Sequence, residues 1–67
     1  MNVDIRKHIR NNFKDSDINE IEDSINSSID SKEEIVLPGL GVLFEILWNN
    51  CSEELKNGIL DTIINNI

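Results

Sequence analysis

Residues 31–50 read SKEEIVLPGLGVLFEILWNN and decide how this chain folds. The run from Ile35 to Trp48 contains a single ionisable group, Glu45. Pro38 suits the first turn of a helix, because its missing N–H would have no intrahelical partner there. From Leu40 to Trp48 the residues are apolar on every side of a helix, which is typical of a buried helix. We therefore predict a helix starting near Pro38 and covered by other helices, by a second chain, or by both.

Three further segments repeat an apolar residue about every four positions, which predicts amphipathic helices. The repeats are Ile5, Ile9 and Phe13; then Ile18, Ile21, Ile25 and Ile29; then Leu55, Ile59, Ile63 and Ile67. Polar residues that can cap a helix precede each segment. They are Asn2 for the first, Asp15, Ser16 or Asp17 for the second, and Ser52 for the last. Asn57-Gly58 is a turn signal, but the apolar repeat continues through it, so we predict an unbroken helix.

The sequence thus predicts an all-α fold, a bundle of about four short helices around a central apolar one, as a single domain over residues 1–67. A chain of 67 residues is at the lower end of the size that folds alone. It has one cysteine, Cys51, so no intrachain disulfide can form. Association with another chain would therefore help stability.

Charge is unevenly distributed along the chain. Residues 1–14 carry +3, and residues 15–67 carry −10, for a net charge of −7. The positive charges near the N-terminus are Arg6, Lys7, Arg10 and Lys14. They could contact phosphates, although the acidic remainder repels nucleic acid. They could equally be solvated, or pair with the acidic part of this chain or of another.

Membrane and nucleotide sites are not indicated. The apolar run is shorter than the roughly 20 residues that cross a bilayer, and the N-terminus lacks a targeting pattern, so we expect an intracellular protein. Gly39 and Gly41 lack the third glycine of a dinucleotide motif and the Lys-Ser/Thr of a phosphate loop. We predict instead that these glycines allow a tight turn and the close approach of a neighbouring helix.

No arrangement of residues indicates catalysis. Glu45 is the one charge in the apolar helix, and we expect it to pair with a basic group such as Arg6 or Arg10, because buried charges are usually paired. His8 lacks the partners of a metal or base site, and Cys51 has no catalytic partner in view. We expect no enzymatic activity, no cofactor, no metal and no small-molecule substrate. Trp48 is either an anchor for a partner or part of this chain's own core.

The motif Leu37-Pro38-Gly39-Leu40-Gly41-Val42-Leu43-Phe44-Glu45, with SKEEIV before it, SEELKNGIL after it and NVDIRKHIRNN at the N-terminus, resembles one known family. That family is the minor small acid-soluble spore proteins of the I type, from endospore-forming bacteria. The resemblance spans essentially the whole chain and is sharpest over residues 33–48. It implies synthesis in the forespore and storage in the spore core, and it supplies no active-site residue.

These observations lead to one expected function and one alternative. We expect a non-enzymatic structural or interaction protein of the dormant spore, with a homodimer or another spore protein as its partner. The residues expected to contact a partner are Arg6, Lys7, Arg10, Lys14 and Trp48. The alternative is weak association with nucleic acid through the basic N-terminal helix.

Overall fold

The computed structural model describes residues 4–67, and over that range the protein is all-α. The helices are α1 (Ile5–Phe13), α2 (Ile18–Ser31), α3 (Leu37–Asn50) and α4 (Glu53–Asn65). A short 3-10 helix, Glu34–Val36, leads directly into α3. No strand occurs between residues 4 and 67, so the predicted all-α fold with four helices is confirmed.

The cap of α1 differs from the predicted residue, and that of α2 is one of the three predicted. Helix α1 is capped by Asp4, whose Oδ1 accepts the Lys7 N–H at 2.9 Å. Asn2, the cap predicted from the sequence, lies outside the described residues. Helix α2 uses Asp17, which forms a capping box: its Oδ1 accepts the Glu20 N–H at 2.8 Å, and the Glu20 side chain accepts the Asp17 N–H at 3.5 Å. Such boxes satisfy two N–H groups that the helix leaves unpaired.

Helices α3 and α4 also begin and continue largely as predicted. Pro38 lies in the first turn of α3, where it costs no hydrogen bond. The residues just before α3, Glu34–Val36, form the 3-10 helix. Ser52 caps α4 by accepting the Leu55 N–H at 3.1 Å. The helix continues through Gly58 and ends at Asn65, two residues short of the last isoleucine, Ile67.

Helix α3 is central, because α1, α2 and the 3-10 helix all pack against it. It is not covered, however: Val42, 6% exposed, is the only buried residue among those the structure describes. Phe44 and Leu47 of the same helix remain 42% and 41% exposed. The chain alone therefore does not supply the burial that an all-round apolar helix predicts.

Gly39 and Gly41 do not have the role predicted for them. Both lie inside α3 with helical backbone rather than in a tight turn, and neither has a positive φ. A Cβ added at either position would have no atom within 4 Å, so no neighbouring helix approaches closely there. The positive φ angles among residues 4–67 belong instead to Asp15 (69°) and Lys32 (56°), at the ends of α1 and α2.

The packed helices form an open arrangement. The radius of gyration is 13.3 Å, and the chain extends over 36 × 29 × 26 Å. A compact domain of 67 residues would have a radius of gyration of about 11 Å. The difference agrees with the loose packing of the helices, of which α4 contacts the others least.

Candidate protein-binding groove

An apolar groove runs between α1, α2 and α3 and has a volume of about 700 Å³. Its apolar lining comes from the inward-facing positions of the three helices. These residues are Ile9, Phe13, Ile21, Ile25, Leu40, Leu43, Phe44, Ile46 and Leu47. The repeats at helical spacing therefore do converge, but they line an open groove rather than a closed core. A groove of this kind is the usual form of a surface that binds a helix or an apolar ligand.

Two basic side chains border the groove. Arg10 of α1 and Lys14, the residue just after it, lie beside the apolar lining, and both are exposed. Long basic side chains can cover apolar surface with their methylenes while the charged ends stay in water. The groove thus combines an apolar floor with a positively charged edge, which suits an apolar partner that carries negative charge.

A charged pair joins α1 to α3 next to this groove. Arg6 donates from Nε to Oε1 of Glu45 at 2.9 Å and from Nη2 to Oε2 at 3.1 Å, a two-pronged geometry. This confirms the expectation that Glu45 pairs with a basic group. The pair is on the surface, with side chains 70% and 43% exposed, so Glu45 is not the buried carboxylate that the apolar helix suggested.

The same pair explains the acidity of Glu45. The hydrogen bond from Arg6 lowers the pKa of Glu45 below its ordinary value, and the charges of Arg6 and Arg10 act in the same direction. Partial desolvation opposes them and is the weaker effect overall. The hydrogen bond to Glu45 likewise raises the pKa of Arg6. Glu45 therefore stays ionised at neutral pH and acts as a link between helices.

The four basic residues in and just after α1 are thus divided between different surroundings. Arg6 is held by Glu45, while Arg10 and Lys14 border the groove. Lys7 is exposed, as is its neighbour His8. Of the alternatives left open by the sequence, pairing with an acidic residue holds for Arg6.

Trp48 is held by its own chain at the far end of α3. Its ring stacks on Phe44 with centroids 5.7 Å apart and an interplanar angle of 24°. The Lys56 Nζ lies 5.2 Å from the Trp48 ring centroid, within cation–π range. The Glu53 carboxylate is 3.7 Å from the same Nζ. Sequence analysis missed this role of Lys56. The observation that could have indicated it is that Lys56 lies among the apolar residues of the α4 repeat.

Helix α4 has an apolar stripe that the other helices leave uncovered. We call it the α4 stripe: Leu55, Ile59, Leu60, Ile63 and Ile64 of the helix, together with Ile67, which lies two residues beyond its end. All of these except Ile59 are exposed, with Leu60 at 50% and Ile64 at 68%. A stripe of this width normally faces a core or a partner.

The remaining features to place are Cys51, possible metal ligands and possible membrane-spanning helices. Cys51 is a half-buried free thiol whose Sγ lies 3.7 Å from the Trp48 carbonyl oxygen. Across residues 4–67 no three histidine, cysteine, aspartate or glutamate side chains are grouped to hold a metal ion. Within the same range, each helix is too short or too polar to span a membrane.

Comparison with known proteins decides the family. A family model described as "Small, acid-soluble spore protein I" matches residues 3–67. The chain belongs to this family. No catalytic activity is known for these small spore proteins, and the resemblance found in the sequence motif is confirmed.

Individual members of the small, acid-soluble spore protein I family are similar over nearly the full chain. The protein of that name from Halalkalibacterium halodurans is 44% identical over 63 residues, which are 94% of this chain and 93% of the relative. Those from Bacillus velezensis and Bacillus subtilis are each 40% identical over 63 residues, 94% of this chain and 89% of the relative. No solved structure matches the fold significantly.

Proposed function

We propose that this protein acts in the spore core as a non-enzymatic structural protein that works by binding another protein. The family supports a role in the spore, and synthesis in the forespore followed by storage in the core agrees with it. The amount of uncovered surface supports binding. In this role the groove and the α4 stripe are the contact surfaces, and Arg6 and Glu45 hold the groove in shape.

One observation carries this proposal: the chain exposes far more surface than a compact folded monomer of its size. Its accessible surface is 5846 Å², and the scaling for folded monomers gives roughly 4,300 Å² for 7.7 kDa. The excess of about 1,500 Å² exceeds the roughly 800 Å² that each partner buries in a standard interface. Much of the exposed surface is large and apolar, including the α4 stripe. Binding would cover surface that the fold leaves open.

Photocrosslinking in intact spores tests this role. A photocrosslinking amino acid replaces Leu60 on the α4 stripe, or Asn65, which lies off the stripe, as the control. Covalent adducts are expected from position 60 in the core fraction and far fewer from position 65. If neither position gives adducts above background, or if the protein fractionates with the spore coat, the proposed role is wrong.

Weak association with nucleic acid is the second candidate. The observation favouring it is the exposure of Lys7, Arg10 and Lys14 on one short helix. Its test is an amide NMR titration with duplex DNA at low salt, where shifts confined to α1 and lost on raising the salt would support it. The variant Arg10→Ala should reduce those shifts. An unchanged spectrum would exclude this function.

A further inference from the structure

The freest part of the α4 stripe is its C-terminal half. Lys56, one turn before Leu60, lies over Trp48 of its own chain, and Ile59 is half-buried. The apolar residues that follow are between 44% and 94% exposed; they are Leu60, Ile63, Ile64 and Ile67. They follow one another at the three- and four-residue intervals that form the seam of a helix pair. This half of the stripe therefore has the pattern of a surface that packs on another helix.

The same half of the stripe carries no charge. Asp61 is the only ionisable side chain in residues 57–67. At 3.6 residues per turn, Asp61 lies about 100° around the helix from the middle of the exposed apolar group. Other surfaces of the chain are charged: Arg10 and Lys14 border the groove, and the exposed side of α2 carries acidic side chains, Asp23 among them. The exposed half of the stripe is thus both apolar and neutral.

This neutrality favours a second copy of the chain as the partner. Two copies, each with a net charge of −7, repel one another unless they meet at a surface without charge. A surface that meets its own copy also sets each of its charges near the same charge of the copy, and here there is none to oppose the contact. The positions that flank the seam of a helix pair select partners by charge, and on this half of α4 they are uncharged.

The residues before Leu60 decide the direction of the two helices. In a parallel pair, Glu53 and Lys56 of each copy would lie beside the same residues of the other, and the two acidic chains would be side by side. An antiparallel pair centred between Ile63 and Ile64 places Leu60 opposite Ile67 of the second copy. It leaves Lys56 over Trp48, outside the contact, and puts the rest of the two chains at opposite ends.

We propose that α4 pairs with α4 of a second copy, antiparallel and about a two-fold axis between Ile63 and Ile64. This rests on the proposed function, that the chain binds protein, and it names the partner for the α4 stripe. The contact uses the same surface of both copies, so it closes at two chains. One helix from each chain buries less than the roughly 800 Å² per partner of a standard interface, so the dimer is expected to be weak and readily reversible.

The first test is the mass of the full chain in solution. Sedimentation equilibrium from micromolar to millimolar concentration should show the mass rising from 7.7 kDa toward twice that value. Ile64→Glu places two carboxylates near each other across the axis and should raise the dissociation constant about tenfold or more. The matched control is Asn65→Glu, which adds the same charge on the other side of the helix and should change the constant by less than about threefold. Both residues are exposed, so unchanged helicity by circular dichroism is expected for both variants.

Cysteine substitutions test the direction of the pair, in a Cys51→Ser background. Ile64→Cys lies near the axis and should form a disulfide-linked dimer under mild oxidation. Leu60→Cys should not, because the two copies of that position are seven residues apart along the helices, about 10 Å, which exceeds the roughly 7 Å that separates the Cα atoms of a disulfide at most. Asn65→Cys faces away from the partner and is the control for random oxidation.

Three results would overturn the proposal. They are a chain that stays monomeric at millimolar concentration, a dimer that Ile64→Glu and Asn65→Glu weaken equally, and a disulfide that forms as fast at position 60 as at position 64. In spores, adducts from position 60 to a different protein would uphold the proposed function while excluding the pairing of α4 with itself. Adducts to a second copy of this chain would support both.

Discussion

Helices α1 and α4 have the same kind of sequence pattern but very different surroundings. Each repeats an apolar residue every fourth position, and each begins with a side-chain cap. Helix α1 packs on α3, is joined to it by Arg6 and Glu45, and helps to line the groove. Helix α4 contacts α3 through Lys56 and Trp48 and leaves most of its stripe exposed. An apolar repeat therefore shows which face can be buried, but not whether the chain itself supplies the covering surface.

Truncating one side chain in each region to alanine should give the largest difference in the free energy of unfolding. Val42→Ala should lower the free energy of unfolding by about 2 kcal/mol, because two methyl groups leave the one buried site. Ile64→Ala should change it by less than about 0.5 kcal/mol, because that side chain is already largely in water. Urea unfolding followed by circular dichroism at the lowest practical concentration measures both.

The two variants should also respond differently to protein concentration. If a second copy covers the α4 stripe, the cost of Ile64→Ala should grow as the protein concentration rises, while that of Val42→Ala changes less. Equal losses of unfolding free energy from Val42→Ala and Ile64→Ala at low concentration would mean that α4 is packed within the monomer.

Alanine in place of a helical glycine should give a smaller effect of opposite sign. Gly41 in α3 and Gly58 in α4 both have room for a Cβ and helical backbone, so each Gly→Ala change should stabilise its helix by about 0.5–1 kcal/mol. For Gly41→Ala the gain should appear in the global unfolding free energy. For Gly58→Ala it should appear mainly as slower amide hydrogen exchange within residues 53–65.

A global gain from Gly58→Ala equal to that from Gly41→Ala would contradict this distinction. It would show that α4 unfolds together with the helices around the groove rather than separately from them.

Removing the charge of Glu45 should have the smallest effect on folding stability. The pKa of Glu45 is lower in the folded protein than its ordinary value of 4.5. Its contribution to stability is therefore fully present above about pH 4.5 and is lost as the pH falls through the lower folded value. Glu45→Gln should remove this part of the pH dependence, and added salt should have a similar, weaker effect because the pair is exposed.

Thermal unfolding between pH 2 and pH 7 measures this dependence. Glu54→Gln, which removes an exposed charge from α4, is the matched control. It should leave unchanged the contribution of the Arg6–Glu45 pair to the pH dependence of stability. Identical pH profiles for the original protein and Glu45→Gln would show that the pair adds nothing to stability.

Local features of the fold were predictable because they depend on neighbouring residues. The caps Asp17 and Ser52 and the helix start near Pro38 follow from side-chain chemistry at known spacings. The pairing of Glu45 with a basic group, 39 residues away in sequence, was predicted on a different ground: a lone charge in an apolar helix needs a partner. The 3-10 helix was missed because its residues, Glu34–Val36, carry no signal that separates it from a loop.

Features that depend on relations between helices were less predictable. That Gly39 and Gly41 lack close neighbours, and that Phe44 and Leu47 remain partly exposed, depends on how the other helices are arranged around α3. The position of Lys56 over Trp48 also depends on the angle between two helices. Periodicity contains no information about that angle.

The short sequence separation of most contacts has a consequence for how fast this protein folds. Helix α3 packs against its immediate predecessors, the 3-10 helix and α2, and only α1 reaches it from far along the chain. Such local contacts are typical of domains that fold in microseconds to milliseconds. The contact between Arg6 and Glu45 closes a separation of 39 residues, the costliest loop closure described here. Temperature-jump relaxation of Trp48 fluorescence should therefore be fast, and deleting that contact should mainly alter the slowest phase.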